Sequence, residues 1–248
     1  MGLNVRESVV GLHAVRVALE RGQLRELWCD WRRHDERLEA IRCAAAERGV
    51  EVHEIANREL DALLPGVRHQ GVIGRLHPPR ERNERDLEEL LEGLGHPPFL
   101  LVLDGVQDPH NLGACLRTAD AAGVDAVIVP KDRAVGLTAT VHKVACGAAQ
   151  TVPLVRVTNL ARTLRYLRDA GVWLVGTAGE GTRTIHQIDL TGPLALVMGA
   201  EGKGLRRLTR EHCDLLASIP MHGVVESLNV SVATGICLYE ALRQRRHS

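Results

Sequence analysis

Apolar runs and helical-period stretches alternate along most of this chain. Phe99-Leu-Leu-Val-Leu103 is continuously apolar, the pattern of a central strand buried on both faces. The stretch after it places Leu112, Cys115, Leu116 and Ala119 at helical spacing and stops at Gly123. Strands are predicted at Ala126–Val129, Val172–Val175 and Leu194–Val197, and a short one ends at Pro220. A last helix is predicted over Asn229–Arg245, with Val230, Ala233, Cys237 and Ala241 on one face. Towards the amino terminus the pattern predicts a helix at Gly11–Arg21, a strand at Leu24–Cys29 and a helix at Asp35–Arg48. Strands at Val50–Ile55 and Gln70–Leu76 follow. Between these regions, Pro78-Pro-Arg-Glu-Arg-Asn-Glu-Arg-Asp86 reads as an exposed charged connector. Leu87–Leu94 could add a short helix, and His96-Pro-Pro98 closes the stretch. The expected organisation is a small α/β module at 1–77, a linker at 78–96 and a larger α/β domain at 97–248.

Composition narrows the class. Hydrophobic residues make up 45% and aromatics only 2%, so the core is built from Val, Leu, Ala and Ile, as suits buried parallel strands. Formal net charge is zero, which weighs against a nucleic-acid binder unless a local basic patch exists. The six cysteines form no Cys-x-x-Cys pair, so buried reduced thiols are expected, with neither zinc nor disulfides. The histidines show no metal-ligand spacing, and no metal is expected. An early charge argues against a secretory signal, and no apolar run reaches membrane length. A cytoplasmic protein with no membrane partner is expected.

Three segments share one build, strand then polar loop then helix: Leu101–Ala122, Leu194–Arg210 and Ile219–Tyr239. Loops at the carboxyl ends of strands are where open α/β sheets hold ligands, so three together point to one composite site. Gly176-Thr-Ala-Gly-Glu-Gly181 and Gly199-Ala-Glu-Gly-Lys-Gly204 both read G-x-x-G-x-G. That reverses the dinucleotide fingerprint, and Lys203 is followed by Gly204 instead of the Ser or Thr of a P-loop. The glycines are either tight turns or places where a ligand of adenosine type meets the backbone. Asn111 reads as a helix N-cap or a site residue. Arg117 either pairs with Asp120 or holds a phosphate, and Gly113, one turn earlier, should leave its guanidinium open space. Glu201 sits between glycines at a strand end, near helix amides, and Ser227 and Asn229 stand at a helix mouth, so all three read equally as caps. The basic clusters Leu205–Arg210 and Arg243–His247 are solvated helix faces or RNA contacts.

These segments together resemble the SpoU (TrmH) class of RNA 2′-O-ribose methyltransferases. Asp108-Pro-His-Asn-Leu-Gly-Ala-Cys-Leu-Arg-Thr-Ala-Asp-Ala-Ala-Gly123 is similar to its first signature, Leu196–Gly204 to its second, and Ile219-Pro-Met with Ser227-Leu-Asn-Val-Ser231 to its third. They stand in the family's order, and the likeness extends over essentially the whole chain. Lys203 departs from the acidic or polar residue common in relatives. The resemblance implies a carboxyl-terminal domain tied in a trefoil knot, preceded by an L30e-like RNA-binding module. It implies S-adenosylmethionine as cofactor, a homodimer, and 23S rRNA as partner, with a guanosine ribose as target. Carried over by position, Thr177, Gly199, Ile219 and Leu228 would hold the cofactor. Arg117 would be the catalytic arginine, with Asn111 and Glu201 holding it and the ribose, and Ser227 and Asn229 shaping the site. Arginine is a poor base because its guanidinium keeps its proton, so electrostatic activation of the 2′-OH is the expected role and the general base stays unassigned. The RNA would be read as an exposed loop base. A tRNA or other-rRNA substrate, or a non-catalytic assembly factor, are the alternatives.

Overall fold

The computed structural model describes residues 3, 8–20, 22–33, 35–77, 81–202 and 204–246. Most of the amino-terminal segment read for signals, the start of the connector at 78–80, Lys203 and His247 lie outside the described residues. The chain divides into two compact units, Met1–Pro79 and Arg80–Ser248.

The first unit runs β1 (Ser8–Val10), α1 (Leu12–Glu20), β2 (Leu24–Asp30), α2 (Glu36–Glu47), β3 (Glu51–Ile55), α3 (Asn57–Leu63) and β4 (Val72–Leu76). The sheet order is β1-β4-β2-β3, with β2 and β3 parallel and β4 antiparallel to both β1 and β2. Asp35 caps α2 by accepting from the Leu38 amide. Val15, Leu19, Leu27, Leu38, Ile41 and Val72 make a core between helices and sheet. The hydrophobic pattern does not predict β1 and α3, because three and seven residues give too short a period to read.

The second unit runs α4 (Glu84–Gly93), β5 (Phe99–Asp104), α5 (Pro109–Ala122), β6 (Ala126–Pro130), α6 (Ala139–Ala145), α7 (Ala148–Thr151), β7 (Leu154–Val157) and α8 (Leu160–Asp169). It continues with β8 (Trp173–Thr177), β9 (Arg183–Thr184), β10 (Leu194–Gly199), α9 (Arg207–His212), β11 (Leu215–Ser218) and α10 (Val230–Arg245). The sheet is parallel throughout, in the order β7-β6-β5-β10-β8-β11-β9. Helices cover both faces, and β5 shows why its sequence is continuously apolar. Leu101 and Leu103 pack in one core with Leu112, Leu116 and Leu238, while Leu100 and Val102 pack in the other with Leu164 and Leu174. Asp108 caps α5, Pro109 takes its first turn, and Gly123 ends it at φ 76°. Asn111 is therefore inside the helix and is not its cap.

Two expectations are corrected. Residues 81–86 are not a free connector, although the short helix expected at 87–94 is present as α4: Arg82 pairs with Val155 of β7, donating its amide to Leu154 O at 2.8 Å and accepting from the Arg156 amide at 2.7 Å. Leu87 is fully buried against the sheet. Among the cysteines, Cys29, Cys115 and Cys237 are buried, but Cys43 and Cys146 are exposed. Burial pushes the Cys115 thiol up to about 11 and those of Cys213 and Cys237 to about 12, so all three stay protonated. Among the described residues no helix is long and apolar enough to cross a membrane.

Candidate active site

From β5 the chain steps outward through β6 to β7, then returns to lay β8 on the far side of β10. The carboxyl ends of β5, β10, β8 and β11 meet where that direction reverses, which is where an open α/β sheet forms a ligand crevice. The loop after β10 is closed on itself: Ala200 and Gly204 exchange both backbone hydrogen bonds, at 3.1 and 2.9 Å. Gly202 and Gly204 sit at φ 74° and 63°, so the turn draws on their freedom. Gly199 does not have a positive φ. A Cβ there would stand 2.6 Å from the Gly204 carbonyl oxygen, so the glycine lets the loop fold back on its own strand.

A cleft of about 320 Å³ opens at these strand ends. Thr177, Gly199, Ile219 and Leu228 all line it, together with Glu201 and Ser227. Thr177 directs its hydroxyl to Val197 O at 3.5 Å. Met198, Met221, Ile219 and Leu228 supply apolar wall, while Glu201 and Glu226 are the ionisable lining. Among the described residues the lining holds no Lys or Arg. An apolar cleft with carboxylates in its wall suits a ligand with an aromatic base and a positive charge.

Beside the cleft, three side chains lock together. Asn111 Nδ2 donates to Glu201 Oε2 at 3.3 Å. Asn229 Nδ2 donates to Asn111 Oδ1 at 3.0 Å and to Glu201 Oε2 at 3.4 Å. Asn229 also caps α10, its Oδ1 accepting from the Ser231 amide at 2.9 Å and from the Ser231 hydroxyl at 2.7 Å. Each of the three sequence junctions contributes one member, and Glu201 accepts from side-chain amides instead of from a helix terminus.

Arg117 stands apart from this group. It is exposed on α5, with Nη1 3.6 Å from Cys146 Sγ at the end of α6. Asp120 accepts from the Thr151 hydroxyl and not from Arg117. Gly113 does not give the guanidinium room: a Cβ there would meet Val144 Cβ at 2.7 Å, so it is α6 that fills the space.

Two positioning groups escape the sequence pattern. Asp104, buried at the end of β5, accepts from the Arg206 amide at 2.9 Å and from Arg206 Nε at 2.5 Å, tying β5 to the loop that follows β10. A lone carboxylate closing an apolar run was the available signal. Glu81 accepts from the Leu137 amide at 2.8 Å and from Arg156 Nη1 at 3.1 Å, and its carboxylate fills the notch left by Gly136. It thereby fastens the loop after β6.

Residues 98–239 match the model of the SpoU rRNA methylase family, and residues 8–82 match the model for RNA 2′-O ribose methyltransferase substrate binding. The chain is 60% identical over 242 residues to the 23S rRNA (guanosine-2′-O-)-methyltransferase RlmB of Escherichia coli K12, covering 96% of this chain and 99% of that protein. It is 58% identical over 242 residues to the RlmB of Pseudomonas putida, covering 97% of each. Among solved structures, it is similar to the SpoU methyltransferase AviRb of Streptomyces viridochromogenes in complex with AdoMet. The TM-score is 0.68 at 28% identity, covering 97% of this chain and 91% of that one. An AdoMet-bound rRNA methyltransferase of Sinorhizobium meliloti is 30% identical with a TM-score of 0.68, covering 97% of this chain and 87% of that one.

Proposed function

The chain belongs to the SpoU rRNA methylase family, and from that membership and the cleft we propose that it methylates the ribose 2′-OH of a guanosine in 23S rRNA, with S-adenosylmethionine as donor. The single observation that carries the reading is the cleft, apolar and carboxylate-lined, next to the Asn111–Glu201–Asn229 group. S-adenosylmethionine, when bound, supplies a methyl group already activated by its positive sulfonium. Thr177, Gly199, Ile219 and Leu228 would hold it, and Glu201 and Glu226 would balance its charge.

The protein's share is then to place the 2′-OH in line and to stabilise the alkoxide as its proton leaves. Arg117, exposed and outside the cleft lining, is the group we assign to that charge. Asn111 and Asn229 fix the Glu201 carboxylate, and Ser227 lies on the wall where cofactor and ribose would meet. Residues 1–77 serve as the RNA-docking module with an L30e-like fold, and 97–248 as the catalytic part.

A trefoil knot and a homodimer belong to the same proposal. The knot is supported by the last turn of α10, whose side chains are hydrogen-bonded to residues 188–192. Gln244 donates to Ile188 O at 3.1 Å and accepts from the Leu190 amide at 2.9 Å, and Arg245 Nε donates to Leu190 O at 3.1 Å. The dimer is supported by Val232 and Tyr239, which α10 leaves 52% exposed. With rRNA as substrate the place of work is the cytoplasm.

The test is methyl incorporation into 23S rRNA transcripts from labelled S-adenosylmethionine, with tRNA and other rRNA in parallel. A 2′-O-methylguanosine in 23S rRNA is expected. Incorporation only into tRNA would move the substrate, and rRNA binding without incorporation or cofactor affinity would leave an assembly factor.

A further inference from the structure

We infer that the loop carrying Trp31, at the carboxyl ends of β2 and β3, is a stacking platform for an unpaired base of the substrate RNA. The inference rests on the RNA methyltransferase reading and narrows it to one surface of the first unit. The chain has only three Trp, two Tyr and one Phe, and Trp31 is 47% exposed. A tryptophan left outside a core so poor in aromatics forgoes a large burial gain, and such residues concentrate at interfaces. The Arg32 guanidinium lies over its ring, 4.8 Å from the centroid. An arginine beside an exposed aromatic plane suits single-stranded RNA, whose bases stack on the ring while the phosphates meet the cation.

The loop is held before any RNA arrives. Trp31 donates its amide to Ile55 O at 3.2 Å, and Arg32 and Arg33 donate theirs to Asp30 at 3.0 and 3.1 Å. The neighbouring loop at 67–71 is equally fixed. Buried His69 bonds Asp61 at 3.0 Å and accepts from the Gly71 amide at 3.1 Å, and Gln70, at φ 54°, accepts from the Arg33 guanidinium. Between the two loops lies a cavity of about 340 Å³, lined by Arg33, Arg68 and Gln70 and also by Asp30 and Asp61. The carboxylates present are engaged: Asp30 with the Arg32 amide, Asp35 with Arg33 and the α2 cap, Asp61 with His69. Arg32 and Arg68 remain exposed to solvent for phosphates.

The test uses the full-length protein as wild type, Trp31→Phe and Trp31→Ala. Binding is measured to short labelled oligouridylate and oligoadenylate and to an RNA duplex, and KM and kcat are measured on 23S rRNA transcripts. Trp31→Ala should weaken single-strand binding and raise KM by between about fivefold and a hundredfold. Cofactor affinity, kcat and unfolding temperature should hold, and Trp31→Phe should restore most of the loss. Wild-type single-strand binding by Trp31→Ala overturns the inference. So does a preference for duplex that the substitution does not touch, which would mark a reader of paired RNA. If wild type methylates no 23S rRNA, the proposed function falls, while the oligonucleotide titrations still judge the platform separately.

Discussion

Asn229 uses both ends of one amide, its oxygen for the cap of α10 and its nitrogen for Asn111 and Glu201. Asn229→Asp keeps the acceptor, loses the donor and sets a second negative charge beside Glu201. The cap, worth about 1 kcal/mol, survives, so thermal stability should change little. Methyl transfer should fall roughly ten- to a hundredfold, because repelling the Glu201 carboxylate from its place misaligns the site, and a displacement of about 1 Å can cost about a hundredfold. Initial rates and unfolding midpoints on one preparation decide this, and unchanged rates would make the group a scaffold only. Arg117→Ala should lower kcat by about 10²–10³, the scale of losing one charge-stabilising donor, and leave cofactor titration nearly unchanged because Arg117 does not line the cleft. Near-normal turnover would remove its assigned role. Gly199→Val is expected to damage both binding and folding, since its side chain would collide with the Gly204 carbonyl instead of with a ligand. A titration showing weak binding with an unshifted melt would restore the simpler picture of a ligand-facing glycine. The members of this site were visible in the sequence as polar residues at three similar junctions. Their mutual bonding was not, because Asn111 and Asn229 lie 118 positions apart and Asn111 and Glu201 lie 90 apart. Spacing alone leaves Arg117 undecided, and only the family resemblance singles it out.

The strands β5, β6, β8 and β10 lie where the apolar runs predict them. α8 carries Leu160, Thr163, Leu164 and Leu167 on one face, a period that was open to reading but not predicted, whereas the stretch from 139 to 157 was not readable, for local reasons. Cys146 and Gly147 both sit at positive φ, at 51° and 98°, and cut one helix into the short α6 and α7. β7 is four residues long and carries Arg156 among its apolar positions. The last helix holds a pH-sensitive contact that the pattern could not show. Arg243, with help from Gln244 and His186, pulls the Glu240 carboxyl down to about 2 from an ordinary value of 4.5. A lowered carboxylate stabilises the folded state fully above its unfolded value, and that contribution fades as pH falls from 4.5 towards 2. The unfolding-temperature gap between wild type and Glu240→Gln should therefore be constant above pH 4.5 and narrow below it. A gap that widens on acidification would contradict the assignment.

At the scale of the whole molecule, the charged stretch after the first unit serves the second. Glu81 fastens the loop after β6, Arg82 pairs with β7, and Leu87 fills the core. Composition alone read this stretch as a spacer, since a run of charges looks the same whether its backbone is solvated or paired. A fragment starting at 81 should fold and bind cofactor. One starting at 97 should lose about 2 kcal/mol or more from Leu87 alone, as denaturant melts of the two would show. Equal melts would return the stretch to the role of spacer. The same pairing has a consequence for the colloidal behaviour of the protein. β7 is the outermost strand of its sheet, and its free backbone groups are a template on which another chain could add. Arg82 occupies that template from within the same polypeptide. Every chain thus carries its own cover against uncontrolled self-association, and proteolysis in the stretch would release not an inert catalytic core but a sticky one.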